Sequence, residues 1–265
     1  MKLVLTRPEA EAGAWAQALS SAGHEVVRLP LLAFGPAPHP KAMASAWLAA
    51  QSFHAAMFVS SQAVRSFFAV RPPQLRWSGR CWATGPGTQA ALRQAGVDES
   101  LIDVPAAEAA QLDSEALWAV VSNQVLNWYG AQPCSVLLVR GSDADSAPTP
   151  DGQGRDWLSQ QLQSAGVKLS WVVAYQRLAP TWSAREMDFA SRATSDGSVW
   201  LFSSAQAWLQ LKRLMPGPHW AQARALATHE RIASALKLDA WGRVDTCKGA
   251  LAAVLQALHP DDHWR

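Results

Sequence analysis

Cysteines, excess charge, long apolar runs and known catalytic motifs are all scarce in this sequence, and each scarcity excludes a class of protein. The three cysteines, Cys81, Cys134 and Cys247, lie 53 and 113 residues apart, which matches neither a disulfide framework nor a zinc site, so we expect buried thiols. No apolar run of about 18 residues is present, which argues against a membrane as partner. A net charge of +2 without a Lys/Arg run argues against nucleic acid.

The start of the chain and the missing motifs narrow the possibilities further. The strand-like Lys2–Thr6 stands where a signal peptide would have a basic region and a longer apolar one, so we expect a cytoplasmic protein. There is no Gly-x-Ser-x-Gly elbow, Walker loop or His-Glu-x-x-His motif. An enzyme with this sequence is expected to work by positioning and hydrogen bonding. No feature indicates oligomerisation, and we expect a monomer.

The second half of the chain repeats the first at a nearly constant offset. Leu19–Gly23 returns as Leu162–Gly166 and Phe58–Ser61 as Leu201–Ser204, each 143 residues later, and Ala83-Thr84 returns as Ala227-Thr228. Three matches in the same order indicate a duplication. Two similar modules imply a cleft between them.

Each half alternates short apolar runs with segments of helical period, the pattern of a parallel α/β sheet. The predicted strands are Lys2–Thr6, Glu25–Leu29, Ala56–Val59, Cys81–Thr84 and Leu101–Val104, then Ser135–Val139, Lys168–Val173, Ser198–Phe202, Arg224–Ala227 and Arg243–Thr246. The predicted fold class is α/β, with two flavodoxin-like, doubly wound domains that have parallel five-stranded sheets and are joined by a two-stranded linker. Pro-rich Leu29–Pro38 and its repeat partner Val172–Pro180 are the candidate crossings, and Ser142–Gly154 is a predicted exposed loop.

Residues that follow the strands are the candidates for a binding site, because doubly wound sheets bind ligands beyond the carboxyl ends of their strands. They are mostly hydroxyls, glycines and arginines: Thr6, Arg7, Ser60, Ser61, Thr84, Gly85, Thr88, Arg140, Gly141, Ser203, Ser204 and Thr228. Together with free N–H groups at helix starts, such residues bind anions. Helix capping by the hydroxyls, and a solvated position for the arginines, remain open as alternatives.

A nucleotide-binding fingerprint is a further alternative. Gly85-x-Gly87-x-x-Ala90 follows a predicted strand and opens a helix, and Asp103 lies 18 residues beyond Gly85. Such fingerprints normally follow the first strand of their domain, whereas the first strand here runs into Thr6 and Arg7 without a glycine. A thermal shift with NAD or FMN would support this alternative.

Tyr175 is one of only two tyrosines, and it lies on the second candidate crossing. A phenol is a poor base at neutral pH but a usable proton donor to a departing oxygen. The alternative is a tyrosine that merely packs in an inter-domain strand.

Nine short motifs follow one another along nearly the whole chain. They are Leu3–Pro8, Pro30–Phe34, Phe58–Val64, Ala83–Thr88, Asp113–Leu117, Leu137–Gly141, Gly154–Leu158, Ala174–Arg177 and Phe202–Ser204. In this order and spacing they resemble the uroporphyrinogen-III synthase family. The resemblance implies one domain from residues 1–33 plus 178–265, a second domain from residues 34–177, and two crossing strands that tether them.

The resemblance also implies a reaction. Hydroxymethylbilane, a linear tetrapyrrole with several carboxylates, would lose its terminal hydroxyl, invert ring D through a spiro intermediate and close with loss of water, without a cofactor. Tyr175 matches the family tyrosine that assists departure of the hydroxyl. Where relatives have a Gly-x-Thr-type turn, this chain has Thr228-His229-Glu230-Arg231, so only Thr228 is retained there as a contact. A two-lobed binding or sensor protein of the same fold, without catalysis, is the alternative function.

Overall fold

The computed structural model describes residues 1–106, 114–128, 134–143, 156–217 and 220–259. Most of the predicted loop Ser142–Gly154 lies outside the described residues, as do Asp113 and Gly154 of two of the motifs. The chain forms two compact units. Unit 1 consists of Met1–Ala33 and Leu178–Arg265, and unit 2 consists of Phe34–Arg177.

Strands and helices alternate along the described residues. In chain order they are β1 (Lys2–Leu5), α1 (Glu9–Ser21), β2 (Glu25–Arg28), β3 (Ala33–Gly35), α2 (Pro40–Leu48), β4 (Ala55–Phe58), α3 (Ser61–Ala69), β5 (Arg80–Ala83), α4 (Pro86–Gln94), β6 (Ile102–Asp103), α5 (Ser114–Trp128), β7 (Ser135–Asp143), α6 (Asp156–Ser164), β8 (Lys168–Leu178), α7 (Ala184–Arg192), β9 (Val199–Phe202), α8 (Ala205–Leu214), β10 (Arg224–Ala227), α9 (Glu230–Leu238), β11 (Arg243–Thr246) and α10 (Leu251–Ala257). Within the described ranges, none of these helices is both long enough and apolar enough to cross a membrane.

Unit 1 contains a five-stranded sheet with the order β11-β10-β9-β1-β2, in which every neighbouring pair is parallel. β1 is an interior strand, with Leu3 opposite Val26 of β2 on one side and Val199 of β9 on the other. Strands from the two ends of the chain therefore share one sheet.

Both faces of this sheet are buried, as expected for parallel strands covered by helices. One face packs on an aromatic cluster in which the Trp220 and Trp241 rings stack at 4.8 Å between centroids, with Trp208 edge-on to both. The other face packs against α1 and α10 through Leu19 and Val254. Both helices therefore direct an apolar side toward this face, as the segments of helical period in the sequence predict.

Unit 2 contains a six-stranded sheet with the order β3-β8-β7-β4-β5-β6. The pairs from β8 through β6 are parallel. The predicted fold class is confirmed, and all ten predicted strands are present. The prediction of five strands per sheet is incomplete, because Ala33–Gly35 in the Pro-rich connection forms an additional strand beside β8.

An ion pair fixes the far edge of the unit 2 sheet. Asp103 on β6 is 8% exposed, and it accepts two hydrogen bonds from Arg80 on β5, from Nε at 2.6 Å and Nη2 at 2.7 Å. Gln124 of α5 donates a third, at 2.8 Å. The hydrogen bond to Asp103 is the main cause that raises the pKa of Arg80. Asp103 thereby connects β5, β6 and α5.

We expect Asp103→Asn to lower the free energy of unfolding by about 3 kcal/mol, because Asp103 is buried and its partners Arg80 and Gln124 are only partly exposed to water. The amide cannot accept both guanidinium bonds, which leaves the Arg80 charge without its counter-ion. Urea denaturation, monitored by circular dichroism, measures the change in the free energy of unfolding. Asp188→Asn breaks an exposed pair with Arg192, and this control should lose less than about 1 kcal/mol. Equal losses in the two variants would contradict the assignment.

The cysteines are only partly as expected. Cys81 and Cys134 are buried, whereas Cys247 is intermediate, which corrects the prediction of three buried thiols. Burial raises the pKa of all three, that of Cys134 to about 11. Thiols with raised pKa values are poor nucleophiles at neutral pH, so these residues are not candidates for covalent catalysis.

Candidate active site

Tyr175 lies in unit 2 among the carboxyl ends of the strands, where parallel neighbours bring their candidate residues to one edge. The tyrosine is 3% exposed, and its hydroxyl lies 3.1 Å from Oγ of Ser60. Phe34 meets the phenol ring edge-on, with 5.2 Å between centroids. Ser60 is also the N-cap of α3, because its Oγ accepts a hydrogen bond from the Ala63 N–H at 3.1 Å. The phenol therefore connects directly to a helix start.

Gly141 makes room for the Tyr175 ring. The two residues are opposite each other on β7 and β8, next to a register shift between Arg140 and Gly141. A Cβ at position 141 would lie 2.4 Å from Cζ of Tyr175, closer than two carbon atoms can approach. Gly141 therefore allows the phenol ring to lie directly against the backbone of β7, and its predicted contact with substrate stays a prediction.

Two charged residues complete this group, and sequence reasoning did not select them. Asp143 and Arg177 are paired in register two residues beyond Gly141 and Tyr175, and Arg177 Nε donates to Asp143 Oδ1 at 2.6 Å. Burial alone lowers the pKa of Arg177, but the hydrogen bond and charge of Asp143, together with Tyr175, raise it overall. The period of two along a strand was the available signal, since it places Arg177 on the same face as Tyr175. We call Phe34, Ser60, Gly141, Asp143, Tyr175 and Arg177 the tyrosine cluster.

Arg140 lies within β7, because that strand continues to Asp143 rather than ending at Val139 as predicted. Arg140 is 7% exposed, and it lies opposite Val173 of β8. The position of Arg140 is therefore a buried interior one, which corrects its placement at a strand end.

The starts of α3 and α4 bring further predicted residues together in unit 2. A Cβ on Gly87 would lie 3.4 Å from Oγ of Ser61, so the first turns of these helices are neighbours. Gly85 is the N-cap residue of α4, and Thr88 in its first turn is 5% exposed. Thr84 does not cap this helix, because its hydroxyl donates to the Val59 carbonyl at 3.3 Å.

In unit 1, Arg7, Ser203 and Thr228 line one small pocket at the carboxyl ends of β1, β9 and β10. Arg7 Nη2 lies 2.9 Å from Oε2 of Glu11, and its guanidinium lies 4.3 Å from the centroid of the Trp15 ring. Stacking on an indole orients the planar guanidinium. We call this group the arginine pocket.

Other candidates in unit 1 have structural partners. The Thr6 hydroxyl is buried and donates to the Leu201 carbonyl at 2.6 Å, which bridges β1 and β9. Ser204 caps α8 by accepting from the Gln206 N–H at 3.2 Å. His229 caps α9, with Nδ1 accepting from the Arg231 N–H at 3.0 Å. The divergent turn after Thr228 is thus a helix cap in which histidine replaces the usual hydroxyl or carboxylate.

The structure argues against the dinucleotide-binding alternative, because the acidic residue that this alternative requires already has protein partners. A dinucleotide site needs a free carboxylate for the ribose hydroxyls. Asp103, the candidate, is occupied by Arg80 and Gln124. Among the residues that the structure describes, no group of three or more His, Cys, Asp or Glu side chains could hold a metal ion.

Comparison with known proteins decides the family. The family model described as uroporphyrinogen-III synthase HemD matches residues 13–248. The chain belongs to the uroporphyrinogen-III synthase family. Its activity is accordingly that of a hydro-lyase in tetrapyrrole biosynthesis.

Solved uroporphyrinogen-III synthases share the fold. A mutant enzyme from Thermus thermophilus aligns with a TM-score of 0.52 and 16% identity, over 97% of this chain and 96% of that one. The Helicobacter pylori enzyme aligns with a TM-score of 0.55 and 13% identity, over 97% of each chain. At such low identity the likeness shows the fold alone, so the roles of individual residues rest on the geometry described above.

Proposed function

We propose that this chain converts hydroxymethylbilane into uroporphyrinogen III, with Tyr175 assisting loss of the terminal hydroxyl. The observation that carries the proposal is the buried phenol, held between Ser60 and Gly141 at the carboxyl edge of the unit 2 sheet. The ring is fixed on both sides, so its hydroxyl has a defined direction. A fixed proton donor accelerates departure of a poor leaving group.

In the proposed reaction, the bond between the terminal carbon and its hydroxyl oxygen breaks. Tyr175 Oη–H donates its proton to that oxygen, which leaves as water. The electrons of the pyrrole ring stabilise the carbon left behind, which becomes part of an azafulvenium cation. The substituted α-carbon of ring D attacks this cation to give the spiro intermediate, and rearrangement then closes the inverted ring. Loss of a proton from the carbon at the closure point restores the phenol, so one water is lost overall. These steps need no metal and no redox cofactor.

Carboxylates of the substrate are the proposed ligands of the remaining strand-end residues. In unit 1, we propose Arg7, Ser203 and Thr228 of the arginine pocket as contacts. In unit 2, we propose the hydroxyls of Ser61 and Thr88 with the backbone N–H groups at the start of α4. Thr6, Thr84 and Ser204 have structural hydrogen bonds and are left out of this set.

We further propose that the protein acts as a cytoplasmic monomer. Membership of the uroporphyrinogen-III synthase family supports the location, and no feature of the sequence indicates oligomerisation. Light scattering coupled to size-exclusion chromatography gives the mass directly. A value near 28.6 kDa supports the monomer, and twice that mass would exclude it.

The isomer of the product tests the activity. Hydroxymethylbilane closes spontaneously to the uninverted isomer I, so freshly generated substrate should give mainly isomer III in the presence of this protein. Chromatography of the oxidised porphyrins separates the two isomers. Isomer I alone would reject the synthase, and tight binding of the substrate without turnover would favour the two-lobed binding protein.

A further inference from the structure

We propose that Arg177, held in place by Asp143, is a positioning residue that acts through the Tyr175 phenol during departure of the hydroxyl. The proposal rests on the role of Tyr175 in the proposed function. It assigns chemistry to an ion pair that sequence reasoning did not select.

The geometry of β7 and β8 places the pair beside the phenol. Tyr175 and Arg177 are two residues apart on β8 and therefore lie on the same face of the sheet. On β7, Gly141 and Asp143 lie opposite them in the same alternation. The register of the two strands therefore places Arg177 beside Tyr175 on one face of the sheet.

Asp143 restricts the freedom of Arg177. The Nε–Oδ1 distance is 2.6 Å, and the side chains are 20% and 23% exposed, so the pair is largely shielded from water. A guanidinium bound through its Nε edge has three further N–H groups on its other edges, and these are directed away from the carboxylate. Tyr175, after burial and Asp143, is among the groups that influence the pKa of Arg177, and it raises that pKa.

The chemical need for this cation arises when Tyr175 gives up its proton. The Oη–H bond breaks, the departing oxygen becomes water, and the electron pair of that bond stays on Oη as phenolate. Arg177 supplies the adjacent positive charge, and the Ser60 hydroxyl can donate to the same oxygen. When the closing carbon later releases its proton, the phenolate takes it up and the cluster returns to its starting state.

Removal of the cation should slow the chemical step and leave substrate binding nearly unchanged. We expect Arg177→Gln to lower kcat about 10- to 100-fold, the effect of one charge-assisted hydrogen bond made in the transition state. Arg177→Lys, which retains the charge, should recover the larger part of the activity. Arg192→Gln is the matched control, since Arg192 pairs with Asp188 on the exposed face of α7 and should leave kcat unchanged.

A double-mutant cycle separates this role from a structural one. In a Tyr175→Phe background there is no phenolate to stabilise, so Arg177→Gln should cause no further loss of kcat. If Arg177→Gln does not fold, Asp143→Asn is tested in the same two backgrounds. This variant keeps the cation but removes the carboxylate that holds it, so it should cause a smaller loss of kcat, and only where Tyr175 is present.

Two results would overturn the proposal, and they differ in what else they affect. Equal losses of kcat in both backgrounds would show that Arg177 acts independently of the phenol, while the role of Tyr175 would stand. Full activity of Tyr175→Phe would reject the role of the tyrosine and, with it, this role of Arg177.

Discussion

Tyr175→Phe is expected to lower kcat at least about 100-fold, because a positioned proton donor contributes about 10²–10⁴ to rate. Phenylalanine keeps the ring that packs against Phe34 and Gly141, so the change removes the hydroxyl alone. The measurement is the initial rate of formation of isomer III from fresh hydroxymethylbilane. Isomer I should accumulate in its place, since the spontaneous closure continues.

Two comparisons make this result interpretable. The lost hydrogen bond to Ser60 should cost about 1 kcal/mol in the free energy of unfolding, which leaves the variant folded. Ser100→Ala removes another hydroxyl, one that donates to Asp98 at an exposed turn, and should not change the rate. Unchanged turnover by folded Tyr175→Phe would remove the phenol from the mechanism.

Gly141→Val is expected to reduce activity as strongly as loss of the tyrosine hydroxyl, again about 100-fold or more. The added carbons would occupy the volume of the Tyr175 ring, because even a single Cβ would lie 2.4 Å from Cζ. The ring must then leave its place beside Ser60. Overpacking of this kind should also lower the free energy of unfolding by about 1–3 kcal/mol.

Gly13→Ala provides the control for the effect of a side chain at a glycine. Gly13 lies in α1, and a Cβ there would meet nothing within 4 Å. Alanine should stabilise the helix by about 0.5–1 kcal/mol and leave the rate of isomer III formation unaltered. If Gly141→Val retained full activity, the close packing of Tyr175 against this glycine would not be required for catalysis.

The strands were predictable because parallel strands buried on both faces leave continuous apolar runs in the sequence. Val199–Phe202 of β9 is such a run, and all four of its residues are buried. β3 escaped prediction because its three residues are flanked by prolines and are all only half-buried. β7 was predicted too short because Arg140 and Ser142 are polar, and polarity usually marks a strand end.

The candidate site was only partly predictable, and the reason is cross-strand register. Tyr175 could be selected from its own sequence motif. The pairing of Gly141 with Tyr175, and of Asp143 with Arg177, depends on a register shift that no pattern in either strand alone specifies. Likewise, the sequence could not distinguish between capping and other uses of a hydroxyl. Ser60 and Ser204 cap helices, whereas Thr6 donates to a carbonyl of β9 and Thr84 donates to the carbonyl of the residue that follows β4.

The sheet of unit 1 has a consequence for folding during translation. β1 and β2 leave the ribosome first, but their neighbour β9 begins only at Val199. At about 5–20 residues per second, synthesis of the intervening chain takes roughly 10–30 s. All of unit 2, which is continuous in sequence, emerges within that interval, while the edge of β1 that pairs with β9 stays uncovered. We therefore expect the nascent chain to be most susceptible to aggregation and to chaperone capture in this interval, through its first 30 or so residues.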